Sequence, residues 1–149
     1  MNRFKYNILL ADDDEDDCDF FKDALDELQH SVNLVIVNDG QQLMNFLLET
    51  SIDNLPDLLF LDLNMPKKSG FECLTEIRQI DKLRDLPVII FSTSLNNEIV
   101  DLTYKKGAIH YIQKPGEFPK LKRVIENALI TTTKNNFKQP IRDSFILQP

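Results

Sequence analysis

At 149 residues and 17.3 kDa, the chain is long enough to bury about two thirds of the surface its unfolded form exposes, so one self-sufficient core without a disulfide or metal staple is expected. Its net charge of -7 is local: Asp12, Asp13, Asp14, Glu15, Asp16, Asp17 and Asp19 are seven of the 24 acids, and the other 17 match the 17 Lys and Arg. That concentration points to a cation at one place. The lack of a basic stripe, of zinc-ligand spacing and of room for a helix-turn-helix argues against nucleic acid, and no apolar run is long enough to span a bilayer.

Met1 to Asn7 lead into a strand without the apolar core of a signal peptide, so a cytoplasmic location is expected. Tyr6 to Ala11 reads as the first strand, Ile8-Leu9-Leu10-Ala11 being a short run with no polar face. Through the acidic cluster that follows, Cys18, Phe21, Leu25 and Leu28 recur at helical spacing and predict a helix from about Asp14 to Leu28. Glu15, Asp16 and Asp17 suit the positive end of its dipole and need no function. Asp12 and Asp13 precede the helix and stand at the strand's C-terminal edge.

Asn33 to Val37 is the second strand, and Asp39-Gly40 is a turn that launches a helix with Leu43, Phe46 and Leu47 facing inward. Leu58 to Leu61 forms a third strand apolar on both sides, and Asp62 follows it directly. Pro66 and the Lys67 to Gly70 cluster then break the backbone. Asp62 either starts a turn or presents a carboxylate at a sheet edge; this segment alone leaves both open. Ser69-Gly70-Phe71-Glu72 has the spacing of a capping box, opening a helix with Phe71, Leu74 and Ile77 buried. Pro87 to Phe91 is a fourth strand ending on Ser92, and a helix from about Asn96 to Lys106 stops at Gly107. His110 to Gln113 is a short fifth strand ending on Lys114-Pro115, and Pro119 to about Thr131 is the last helix, with Pro119 at its first position. Cys18 and Cys73 lack CxxC spacing and sit among apolar neighbours, which predicts buried, reduced thiols. His30 and His110 adjoin no carboxylate motif, and surface or turn positions are expected for both.

Five short strands alternating with five helices predict an α/β fold with a doubly wound parallel sheet. Residues just past the strands, Asp12, Asp13, Asp62, Ser92 and Lys114, then line one edge and can converge on one crevice. Three converging carboxylates repel each other unless a cation joins them. Oxygen ligands favour a hard ion, and magnesium, which shares its coordination positions with phosphate oxygens, fits best. Asp62 is then a candidate nucleophile toward a phosphoryl group, while Lys114 and Ser92 suit the phosphoryl oxygens. Each of these side chains has a plain reading as a turn former or a solvated charge; it is the coincidence of five at one edge that carries the chemistry.

In these motifs the chain resembles the receiver domains of two-component response regulators. The matching segments are Ile8 to Asp13, Leu61-Asp62-Leu63-Asn64-Met65-Pro66 with Gly70, Pro87 to Ser92, and Tyr111-Ile112-Gln113-Lys114-Pro115, within roughly Asn7 to Leu129. The resemblance implies a flavodoxin-like sheet of order 2-1-3-4-5. It implies that Asp62 accepts a phosphoryl group from a sensor histidine kinase, with magnesium (Mg2+) held by Asp13, Asp62 and the Asn64 main-chain carbonyl and assisted by Asp12. It also implies that Ser92 and Tyr111 act as a switch that remodels the face of the fourth helix, fifth strand and fifth helix, and that Lys114–Pro115 is a cis peptide. Ser stands at position 92 where Thr is commoner, and Gly116-Glu117 is an unusual loop.

Residues 1–131 are expected to form the receiver domain. Residues 132–149 form a C-terminal tail with five large apolar residues among its last 13, expected to dock on its own domain or in a homodimer contact. With no output domain in view, a stand-alone receiver that signals to a downstream protein, or a phosphorelay intermediate, is the expectation. An aspartyl-nucleophile phosphatase is the alternative from the enzyme class; it wants a second acid two residues after the nucleophile, where this chain has Asn64.

Overall fold

The computed structural model describes residues 5–28 and 31–149, so His30 lies outside the described residues. Six parallel strands form one sheet in the order β2-β1-β3-β4-β5-β6: β1 is Lys5–Ala11, β2 Ser31–Val37, β3 Leu58–Leu61, β4 Val88–Ser92, β5 His110–Gln113 and β6 Ile146–Leu147. Five helices connect them: α1 (Glu15–Glu27), α2 (Gly40–Glu49), α3 (Gly70–Gln79), α4 (Asn97–Lys105) and α5 (Phe118–Lys134). The doubly wound parallel sheet is as the strand and helix alternation predicted and its order 2-1-3-4-5 as the resemblance implied, with one strand added at its far edge.

Because strand side chains alternate between faces, β1 feeds two cores. Ile8 and Leu10 pack with Phe21 and Leu25 of α1 and Val124 and Ala128 of α5, and Leu9 and Ala11 with Leu43 and Leu47 of α2 and Leu74 and Ile77 of α3. Phe21, Phe60 and Phe91 meet edge to face at centroid separations of 5.0 to 6.2 Å, the preferred aromatic arrangement. The helices start where side chains cap them. Asp14, Asp39 and Asn96 each accept a backbone N–H of the first turn, and Ser69 and Glu72 complete the capping box. Gly107 takes φ 94° just past α4, a value that suits a residue without a Cβ. Both cysteines are buried free thiols, and burial pushes each up to about 12.

Three expectations are corrected. The last helix does not end near Thr131 but continues to Lys134, since Leu129 and Thr132 stay buried on its inner face. The expected cis peptide at Lys114–Pro115 is absent, as no cis bond occurs among the described residues; an X–Pro bond separates the two isomers by only about 1 kcal/mol, so the sequence does not decide between them. His110 is fully buried, not at the surface, because the C-terminal segment returns over it. Its Nδ1 hydrogen-bonds the Phe145 carbonyl at 3.0 Å, and burial lowers its pKa.

That segment runs along α4 before joining the sheet. Gln139 donates to the Tyr104 and Ala108 carbonyls at 2.7 and 2.8 Å, and the Tyr104 hydroxyl donates to the Pro140 carbonyl at 2.8 Å. Arg142 pairs with Asp101 at 2.8 Å, and the Tyr111 N–H donates to the Phe145 carbonyl at 3.1 Å. Phe145 is fully buried, edge-on to Tyr104 and Tyr111 at 5.0 and 6.4 Å. No helix among the described residues is long and apolar enough to cross a membrane.

Truncating a buried aromatic removes its transfer free energy and leaves a cavity, so Phe145→Ala is expected to lower stability by about 3 kcal/mol in urea unfolding. Ile141→Ala, at a side chain 71% exposed, should leave the midpoint unchanged; equal effects would mean that Phe145 is not held in the core.

Candidate functional site

The site lies where β1, β3 and β5 end. Each strand's last turn is tied to its neighbour: the Asp12 N–H donates to the Val37 carbonyl at 3.0 Å, Asp62 N–H to Ala11 at 2.9 Å and Lys114 N–H to Ser92 at 2.8 Å. The strand register therefore decides where the side chains fall. Asp12 and Asp62 are buried, Asp13 is exposed, and one oxygen from each lies within 4.8 Å of the others.

The Lys114 ammonium enters this group from the fifth strand. Its Nζ stands 2.8 Å from Asp12 Oδ2, at an angle outside hydrogen-bond alignment, 2.9 Å from Asp17 Oδ2 and 3.5 Å from Asp62 Oδ2. It also lies 5.5 Å above the Phe91 ring. Its side chain is only 8% exposed. Burial works against the ammonium, but the attraction of the Asp12 and Asp17 carboxylates outweighs it and holds the lysine above its usual range.

For the carboxylates the balance runs the other way. Burial, reinforced by the charge of Asp12, raises Asp62 from 3.8 to about 6 against the opposing pull of Lys114. Burial likewise raises Asp12. Positive charge entering the site would favour the ionised form of both acids.

Backbone geometry completes the pocket. The Asn64 N–H donates to Asp62 Oδ1 at 3.3 Å, Asp14 N–H to Asp12 Oδ1 at 3.0 Å, and Gly70 N–H to the Leu63 carbonyl at 2.9 Å. A Cβ at Gly70 would collide with the Asp62 carbonyl oxygen, so only glycine lets α3 begin this close to the third strand.

Asp12, Asp13, Asp62 and Lys114 thus come together, with Asn64 beside them. Ser92 and Tyr111 are both fully buried on neighbouring strands. Ser92 Oγ accepts the Ser94 N–H at 3.2 Å, and the Tyr111 hydroxyl donates to the Ser94 carbonyl at 2.6 Å, so both grip the loop leading to α4. Asp17 was missed as a site residue. Its place in the first turn of α1 had a sufficient helix-dipole explanation, and only the folded chain brings it to Lys114.

The chemistry of this donor set is that of a hard divalent ion: three carboxylates gathered from two strand ends can hold one, with no sulfur or imidazole among them.

The family model of the response regulator receiver domain matches residues 8–126. The response regulator Rcp1 of Synechocystis sp. is 33% identical over 122 residues, covering 80% of this chain and 83% of that protein. The probable methanogenesis regulatory protein FilR2 of Methanothrix harundinacea is 30% identical over 121 residues, covering 80% and 78%. Among solved structures, the Mn(2+)-bound form of Rcp1 superposes with a TM-score of 0.73 at 32% identity, covering 82% of this chain and 90% of that one. The phosphorylated cyanobacterial phytochrome response regulator RcpA superposes with a TM-score of 0.75 at 32% identity, covering 84% and 91%.

The raised Asp62 has a stability consequence. A folded state that binds this proton more tightly than the unfolded chain keeps the resulting stabilisation below the unfolded pKa and loses it as pH rises through the folded value. Without divalent ions, Asp62→Asn is therefore expected to be more stable than the wild type by about 2 kcal/mol at about pH 7.5, the difference closing towards about pH 4. Urea unfolding at both pH values checks this, and a gap independent of pH contradicts it.

Proposed function

The chain belongs to the response regulator receiver domain family, and on that premise we propose that it is a phosphorylation-dependent signalling switch with Asp62 as its phosphoacceptor. The observation that carries the reading is the convergence of Asp12, Asp13 and Asp62 within 4.8 Å, with the Lys114 ammonium 3.5 Å from Asp62. Asp62 stands at the tip of the third strand, and its carboxylate attacks the phosphorus of a phosphohistidine on a sensor histidine kinase. The phosphorus–nitrogen bond breaks as the new oxygen–phosphorus bond forms, and the imidazole leaves with the electron pair. Lys114 offers positive charge to the phosphoryl oxygens and Ser92 a hydroxyl.

Asp12, Asp13, Asp62 and the Asn64 main-chain carbonyl would hold Mg2+. Bound there, the ion supplies positive charge for the phosphoryl oxygens. The Mn(2+)-bound form of Rcp1 and the phosphorylated form of RcpA, both similar chains, support this reading. The reaction is a single transfer to the chain's own carboxylate, in the cytoplasm.

Output follows from the loop that Ser92 and Tyr111 share. A Ser92 hydroxyl drawn to the phosphoryl group gives up the Ser94 N–H, and Tyr111, bonded to the same residue, moves with it. The face of α4, β5 and α5 is remodelled for a downstream protein, and in this chain that face also carries Phe145 and β6.

Incubation with acetyl phosphate and magnesium, followed by peptide mapping, is expected to place one phosphoryl group on Asp62, and none on the Asp62→Asn variant; label on another residue would sink the reading. Magnesium is also expected to raise the melting temperature through selective binding to the folded state. Asp13→Asn should abolish that rise, and an equal rise in the variant would place the metal elsewhere.

A further inference from the structure

Lys114 has more carboxylate partners than the transfer to Asp62 requires. Its shortest contacts are with Asp12 and Asp17, at 2.8 and 2.9 Å, and the phosphoacceptor is its most distant partner at 3.5 Å. Asp17 comes from α1, an element otherwise outside the group of strand ends. Resting on the assignment of Asp62 as phosphoacceptor, we propose that Asp17 is a positioning residue that holds the Lys114 ammonium back in the unphosphorylated chain and yields it when the phosphoryl group arrives.

Of the three partners, Asp17 is the one able to yield. Asp12 is wholly buried, so a lysine leaving it depends on a bound cation to replace its charge. Asp17 has a side chain 34% exposed, and water can replace the ammonium there at small cost. Transfer creates the demand. A carboxylate with one negative charge becomes an acyl phosphate with two, as the donor's bond to phosphorus breaks and its leaving group departs with the electron pair. The added charge competes with Asp17 for one ammonium. Each contact that must be loosened to satisfy the phosphoryl oxygens opposes the transfer, so Asp17 slows phosphoryl capture and favours return to the resting state.

Glu15 and Asp16 serve as internal references. They share the first turn and the helix dipole with Asp17, and both are exposed.

The test compares the wild type with Asp17→Asn, Asp17→Glu and Asp16→Asn in saturating magnesium with acetyl phosphate as donor, reading the initial rate of Asp62 labelling and the half-life of the acyl phosphate. Asp17→Asn is nearly isosteric, and a thermal melt verifies that each variant is folded. The expected result is labelling about threefold to fivefold faster in Asp17→Asn with a longer half-life, the size set by one partly exposed charge pair. Asp16→Asn, which removes the same charge without the contact, should stay within about twofold of the wild type, as should Asp17→Glu, which keeps the charge. Asp17→Asn no faster than Asp16→Asn, or Asp17→Glu as fast as Asp17→Asn, overturns the role of Asp17 while leaving the phosphoacceptor in place. A wild type that takes no phosphoryl group on Asp62 overturns the phosphoacceptor reading itself, and this inference with it.

Discussion

A single buried ammonium lets this sheet end in carboxylates. Asp12 and Asp62 face one another at the tips of adjacent strands with almost no access to water, and their burial drives both towards the protonated form. Lys114 is the counter-charge that the fold supplies from a third strand. Such an arrangement adds little to stability, because desolvating the charges offsets most of the attraction between them. Stability comes from the two apolar layers on either side of the sheet. The site is a local cost carried by that core, and it remains short of positive charge, as the proposed uptake of a cation and a phosphoryl group requires.

Placement of these charges depends on close backbone packing more than on the side chains themselves. Parallel pairing brings Ala11 and Leu61 side by side, which sets Asp12 against Asp62 one residue later. The carbonyls of Ala11, Val37 and Ser92 pin the residues that follow the strands. Gly70 lets the third helix start against the Asp62 backbone. The strand ends are thus held by their backbone, and around them lie Asp17 on its helix and the Ser94 loop held by Ser92 and Tyr111.

The C-terminal segment links that loop to the far edge of the sheet. Phe145 rests edge-on against Tyr111, whose hydroxyl reaches Ser94, so one side chain joins the loop to the packing of the last strand. Its carbonyl also accepts the Tyr111 N–H and meets the His110 ring. A two-residue strand is a weak addition by its hydrogen bonds alone, and the buried aromatic does most of the anchoring.

Local signals in the sequence were enough for the alternation of strands and helices, the capping box at Ser69, the stop at Gly107, and the strand-end positions of Asp12, Asp13, Asp62 and Lys114, because each depends on neighbours a few residues away. Strand order, register and the contacts of the tail depend on residues far apart in the chain, and here periodicity is silent. His110 reads as an ordinary residue opening a strand until Phe145, 35 residues later, covers it. Asp17 reads as a helix-dipole acid, and only the meeting of α1 with the end of β5, 97 residues on, makes it a partner of Lys114. By itself the sequence determined which chemical groups stand at the ends of which elements; the tertiary structure alone decided how one ammonium is divided among three carboxylates, because that division is set by distances and burial that exist only once the strands have paired.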